Sequence, residues 1–216
     1  MSRLIDAIEE YKQGFKEKVP FEVQELMLNA TKELEKLRLS KNSKKVGEKL
    51  ENEAFFDINS KEVNLYDFFE DKDFLIVSFY RGAWCPYCNL ELKSLQAYLN
   101  EFKKANASLI SISPQTPDFS LTTKEKNELE FEVLSDIENK VAKKYGLVFS
   151  LADELKPIYK KFGIDIPSSN SDYSYELPMP ATFVIDKTGT IIYSFVNEDY
   201  TKREEPQNIL DIIKKN

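Results

Sequence analysis

The chain has 216 residues, 42% hydrophobic, 31% charged and 12% aromatic, a composition that fits a soluble globular domain with or without an extension. Its net charge of -7 gives no electrostatic basis for gripping a phosphate backbone, and the absence of histidine removes Ser-His-Asp catalysis, histidine bases and His-rich metal sites together. No apolar run approaches the roughly 20 residues of a membrane span, and Met1 to Glu10 lacks the apolar core of a secretory signal. The expectation is a cytoplasmic protein with neither nucleic acid nor membrane as a partner.

Residues 1–42 read as helical. Leu4, Ile5, Ile8, Tyr11 and Phe15 share one face, and after Pro20 a second face carries Val23, Leu26, Met27, Leu34 and Leu37. This N-terminal extension either packs back on the domain that follows or makes a homodimer contact. Lys41 to Lys45 is a polar break, so the second unit spans 46–216.

That unit opens with a hairpin over 54–65 turning at Asn59-Ser60-Lys61, followed by a helical turn at Leu65 to Phe69. Phe74 to Tyr80 reads as a buried strand and Ala107 to Ser113 as a second. A helix over Thr122 to Leu129, a strand over Phe131 to Asp136 and a helix over Glu138 to Tyr145 follow, and such alternation argues for parallel strands joined by crossovers. Residues 147–179, broken by Pro157, Gly163 and Pro167, read as an irregular surface insertion with one helical piece near 152–161. Ala181 to Asp186 and Thr190 to Val196 form an antiparallel pair around Lys187-Thr188-Gly189, and a final amphipathic helix occupies Glu205 to Ile213.

Only two cysteines occur, Cys85 and Cys88, and they lie where the strand ending at Tyr80 turns into a helix marked by Leu92, Leu95 and Leu99. The first N–H groups of a helix have no partner inside it, and their partial positive charge favours a thiolate over a thiol. Cys85, at the helix start, should therefore be the more acidic sulfur, with Arg81 adding positive charge and Pro86 suiting the first turn. One helical turn brings Cys88 back beneath Cys85, at a Cα separation compatible with a disulfide, roughly 5.5 Å. A one-chain zinc site wants four N or S ligands and is excluded by two Cys and no His. The pair reads as a reversible dithiol, with no metal and no cofactor required.

The string Phe79-Tyr80-Arg81-Gly82-Ala83-Trp84-Cys85-Pro86-Tyr87-Cys88-Asn89-Leu90-Glu91-Leu92, with the later Leu177-Pro178-Met179-Pro180-Ala181-Thr182-Phe183, resembles the thioredoxin fold. Within it, the chain resembles the peroxiredoxin-like proteins of the alkyl hydroperoxide reductase/thiol-specific antioxidant group. The resemblance implies an α/β thioredoxin-like fold, a mixed central sheet flanked by helices, behind the N-terminal helical extension. It implies Cys85 as peroxidatic nucleophile, Cys88 as resolving thiol, and a substrate surface of Trp84, Pro86, Tyr87, Met179 and Pro180. It also implies a cis bond before Pro180. The sequence departs from the family pattern in two places: Gly82 stands where peroxiredoxins carry a Thr or Ser, and Pro180 stands near the place of their remote Arg. Arg81 is the candidate replacement for that peroxide-activating charge.

Two enzymatic functions follow, beside a non-enzymatic reading as an interaction or redox-sensing module that docks through the helical prefix. A thiol-dependent peroxidase would reduce hydrogen peroxide or organic hydroperoxides and be regenerated by a thioredoxin- or glutaredoxin-type donor. A thiol-disulfide oxidoreductase acting on protein disulfides is the alternative, favoured by the same dithiol and by the missing Thr/Arg pair. Trp84 either shields the dithiol or simply packs, Tyr80 and Tyr87 either contact substrate or cover the helix start, and Glu91 reads as a solvated helix carboxylate before it reads as a proton acceptor.

Overall fold

A computed structural model describes residues 3–69 and 71–216. Two helices come first, α1 (Leu4–Lys18) and α2 (Phe21–Leu37), and then a hairpin of β1 (Ala54–Phe56) and β2 (Glu62–Asn64). The central β3 (Phe74–Phe79), α3 (Pro86–Lys104) and β4 (Ala107–Ser113) follow, then α4 (Pro117–Lys126), β5 (Glu132–Ser135) and α5 (Lys140–Lys144). β6 (Val148–Ser150), α6 (Lys156–Lys161), α7 (Ile166–Asn170) and β7 (Glu176–Pro178) lead into β8 (Ala181–Asp186), β9 (Ile191–Val196) and α8 (Pro206–Ile213).

The main sheet runs β2-β1-β5-β4-β3-β8-β9. β3 pairs parallel with β4, β4 parallel with β5, and β8 antiparallel with both β3 and β9, so the sheet is mixed. Its faces follow from the two-residue period of a strand. Leu75, Val77 and Phe79 point to one core with Ile110, Ile112 and Phe183, while Ile76 and Tyr80 point to the other, where α1, α3 and α8 lie. Burial on both faces explains why β3 is a nearly unbroken apolar run. Among the described residues, no helix is long and apolar enough to cross a membrane.

The helical prefix packs back on the domain. Leu4 and Ile8 enter the core built by α3 and α8, and Val23, Met27, Ala30 and Leu34 of α2 lie against a third apolar cluster. The Glu205 carboxylate accepts hydrogen bonds from the Leu4 and Ile5 amides at 3.2 and 2.7 Å, closing the start of α1 from the start of α8.

The structure corrects four expectations. The helix expected from Thr122 begins at Pro117, a residue whose fixed φ is suited to the first turn. The helix expected from Glu138 is regular only from Lys140, because Glu138 and Asn139 adopt left-handed conformations at φ 61° and 55°. The segment 147–179 is more than a surface insertion: β6 and β7 pair antiparallel, and Phe149, Leu151, Leu155, Ile158, Tyr159, Ile166, Leu177 and Met179 bury one another as the third cluster. Finally, the Met179–Pro180 bond is trans. Backbone pairing fixes both sides of that bond: β7 pairs with β6, β8 pairs with β3, and the Met179 amide between them donates to the Leu147 carbonyl at 2.7 Å.

Candidate active site

β3 delivers the chain to the site, and a short loop then turns it into α3. Cys85 is the N-cap of α3, extended at φ -85°, ψ 114°, and Pro86 takes the first helical position. The Cys85 amide donates to the Gly82 carbonyl at 3.0 Å, and the Cys85 carbonyl accepts the first helical bond from Asn89 at 3.1 Å. At Gly82 a Cβ would stand 2.5 Å from the Trp84 indole nitrogen, so a larger residue would force Trp84 to move. Amide side chains fix the loop from behind. Gln115 Oε1 accepts from the Ala83 amide at 2.7 Å, Asn89 Nδ2 donates to the Ala83 carbonyl at 2.8 Å, and Asn127 Nδ2 donates to Asn89 Oδ1 at 3.0 Å.

Both thiols are free and fully buried. Two guanidinium groups, themselves buried, address one sulfur each. Arg81 Nη2 lies 3.5 Å from Cys85 Sγ, and its Nη1 donates to the Tyr159 hydroxyl at 3.4 Å. The same guanidinium lies over the Trp84 and Tyr200 rings, 4.9 and 4.0 Å from their centroids. Arg203 Nη2 lies 3.3 Å from Cys88 Sγ, and its Nη1 donates to Glu91 Oε2 at 3.0 Å.

This arrangement splits the two acidities. Burial opposes ionisation of Cys85, but the hydrogen bond with Cys88 and then the charges of Arg81 and Arg203 outweigh it and hold the Cys85 thiol well below its ordinary range. Burial, then the hydrogen bond and charge of Cys85, push Cys88 well above its own, against the pull of the two arginines. The two thiols titrate as a pair in which Cys85 is the more acidic member and Cys88 the less acidic. Glu91 is not a solvated carboxylate: it is 2% exposed, and burial raises it to about 7 although Arg203 pulls it down. Burial likewise pushes the Tyr80 phenol up to about 12.

Trp84, Pro86 and Tyr87 stand together at the inner wall of a groove of about 1040 Å³ between the prefix helices and the helix start. Phe15, Phe21, Met27 and Leu28 of the prefix helices line it as well, together with Tyr159, Phe162 and Tyr200. Tyr87 meets Tyr11 and Tyr200 edge to face, with centroids 5.2 and 5.7 Å apart, and Trp84 meets Tyr159 at 5.7 Å. Trp84 Nε1 is buried with no hydrogen-bond partner among the described residues. Met179 and Pro180, expected on the substrate surface, are buried instead, Met179 at 0% exposure within the third cluster, and neither borders the groove.

Sequence reasoning missed Arg203, Tyr159, Tyr200 and Gln115. Arg203 stands in Thr201-Lys202-Arg203-Glu204-Glu205, which has the look of a solvated surface run. One signal was available: Cys88, Leu92, Leu95 and Leu99 mark the buried face of α3, and Glu91 falls on it. A carboxylate on a buried face calls for a buried cation from elsewhere in the chain.

The sequence model of the AhpC/TSA family matches residues 46–194. Peroxiredoxin Bcp of Escherichia coli is 32% identical over 91 residues, 42% of this chain and 57% of that protein. The chloroplastic peroxiredoxin Q of Oryza sativa subsp. japonica is 30% identical over 124 residues, 57% of this chain and 47% of the relative. The chain thus spans about half the length of the curated relatives it matches. The crystal structure of peroxidoxin BcpB from Mycobacterium tuberculosis superposes with a TM-score of 0.62 at 19% identity, over 79% of this chain and 97% of that one. The shared architecture is the thioredoxin-like fold.

Proposed function

Because the chain belongs to the AhpC/TSA family, we propose that it is a thiol-dependent peroxidase in which Cys85 is oxidised by peroxide and Cys88 closes a disulfide on it. The observation that carries this reading is the Cys85 sulfur at a helix N-cap, 3.5 Å from the buried Arg81 guanidinium and more acidic than an ordinary thiol, with the less acidic Cys88 one turn behind.

The Cys85 thiolate attacks the terminal oxygen of ROOH, an S–O bond forms, the O–O bond breaks, and RO⁻ leaves as ROH after taking a proton. Cys85 becomes a sulfenic acid. Cys88, as thiolate, then attacks Cys85 Sγ; the S–S bond forms, the S–O bond breaks, and the departing hydroxide takes up the proton Cys88 gave up, leaving as water. A thioredoxin- or glutaredoxin-type dithiol donates two electrons to restore both thiols. Arg81 takes the place of the family's absent Thr/Arg pair beside the attacked oxygen. Trp84, Pro86 and Tyr87 face the groove and would contact the R group of an organic hydroperoxide. Full burial of both sulfurs favours a small peroxide over a protein disulfide as the oxidant.

Stopped-flow oxidation of the reduced protein tests this. The wild type should consume peroxide far faster than free cysteine, C85S should not react, and C88S should react and stop at the sulfenic acid. A wild-type rate no better than free cysteine, with rapid turnover of a protein disulfide, overturns the peroxidase in favour of a disulfide oxidoreductase.

A further inference from the structure

The ion pair of Arg203 and Glu91 does not line the groove, and although the Arg203 charge adds to the acidity of Cys85, the sulfur that its guanidinium touches is that of Cys88. Both side chains are almost completely buried, at 0% and 3% exposure. A buried pair of this kind contributes little net stability compared with an apolar replacement, because desolvation of the two ions offsets their attraction. Its geometry is specific to sulfur chemistry. The guanidinium is split between the carboxylate at 3.0 Å and Cys88 Sγ at 3.3 Å, so one nitrogen anchors the group and the other meets the thiol.

We propose that Arg203, held in place by Glu91, is the catalytic residue of the resolving step: it stabilises Cys88 as the thiolate that attacks Cys85 and, in the reductive half, as the thiolate that leaves. This rests on the reading of Cys88 as resolving thiol. Cys88 needs such help more than Cys85 does. It lies within the first turn of α3 rather than at its cap, and while Cys85 is ionised the proton stays on Cys88. Once Cys85 carries oxygen or a mixed disulfide, its negative charge is gone, and Arg203 is the cation in contact with the remaining thiol. The other charged or titratable groups around Cys88 are Cys85 and Glu91 on α3, Arg81 in the preceding loop, Tyr80 at the end of β3, and Glu204, next to Arg203. Of these, Arg81 is committed to Cys85.

The step can be read without peroxide. Reduced protein attacks dithiobis(nitrobenzoate) through Cys85: the reagent's S–S bond breaks, a mixed disulfide forms and one thionitrobenzoate leaves. Cys88 releases its proton to solvent and attacks Cys85 Sγ, displacing the second thionitrobenzoate. R203M and the E91Q/R203M double variant, which leaves no buried carboxylate unpaired, should slow the second release by about tenfold at neutral pH, the effect of about one pKa unit on the thiolate fraction. The first release should change less, R203K should recover most of the second, and raising the pH should restore it in R203M. A second release at the wild-type rate in both Met variants, or a slowing that high pH does not relieve, overturns the proposal. Since no peroxide is present, an Arg203-dependent second release in a protein that fails to consume peroxide would sink the peroxidase reading alone.

Discussion

Cys85 is made acidic by its neighbours against its own burial, and the guanidinium that touches it makes a prediction. Burial alone would keep the thiol protonated; Cys88 donates to it and Arg81 supplies a charge in a dry site, where Coulomb terms are less screened than in water. Replacing Arg81 by Met should raise the Cys85 pKa by about one unit or more and lower the peroxide rate at neutral pH by about tenfold. Ultraviolet titration of the thiolate and stopped-flow mixing measure the two, and an unchanged second-order rate dismisses the role of Arg81. Glu91 makes a prediction of opposite sense for stability. Its folded value of about 7 lies above the ordinary 4.5, so the folded protein holds this proton more tightly than the unfolded chain does. The associated stability is fully present below 4.5 and is lost as pH rises to about 7. The loss is on the order of 3 kcal/mol across that window. Urea midpoints of the wild type should fall between those pH values, and E91Q should flatten the slope; equal slopes in the two proteins would mean that Glu91 ionises normally.

The elements were legible where one short stretch decides its own environment. β3 and β4 are apolar on both faces, α3 carries Leu92, Leu95 and Leu99 at helical spacing, and the hairpins turn at Asn59-Ser60 and Thr188-Gly189, so each could be placed without its partners. The segment 147–179 could not, because its apolar residues follow neither a two-residue nor a 3.6-residue period and find most of their burial against one another and against distant residues, among them Met27 and Leu34 of α2, Trp84 and Val196. The site divides the same way. Arg81, Cys85 and Cys88 lie within one loop and turn, whereas Tyr159 reaches Arg81 from 78 positions away and Arg203 reaches Cys88 from 115. The junction of α1 with α8 is another long-range product. The α1 N-cap residue, Arg3, makes no side-chain cap, and the Glu205 carboxylate serves in its stead, aligned with the positive end of the helix. E205A should cost about 1 kcal/mol at that end, so α1 amides should exchange with deuterium about fivefold faster while those of α3 keep their protection. Unchanged exchange in α1 would show that Leu4 and Ile8 alone hold the helix in place.

At the scale of the molecule, the sheet fixes the dithiol and the added helices decide what can approach it. The family match ends at residue 194 and begins at 46, so α1, α2 and the segment bearing Arg203 and α8 lie outside it. Those parts supply residues of the groove lining and the second guanidinium, and they bring Tyr11 and Tyr200 against Tyr87 over the helix start. Hydrogen peroxide needs little from such a lining, since it has no apolar surface to bury. If the chain is the proposed peroxidase, an arylalkyl hydroperoxide would gain by lying against Phe15, Met27, Leu28 and Phe162, and the gain would fall on substrate selection rather than on the sulfur. Leu28 tests the distinction without threatening the fold, because it is 53% exposed and belongs to no buried cluster. In L28K the rate with cumene hydroperoxide should fall by about fivefold, as loss of roughly 1 kcal/mol of apolar contact implies. The rate with hydrogen peroxide should stay within a factor of about two, the Cys85 thiolate being untouched. An equal fall with both peroxides would place the effect at the sulfur, and no fall with either would mean that organic peroxides reach Cys85 by a path that avoids the groove.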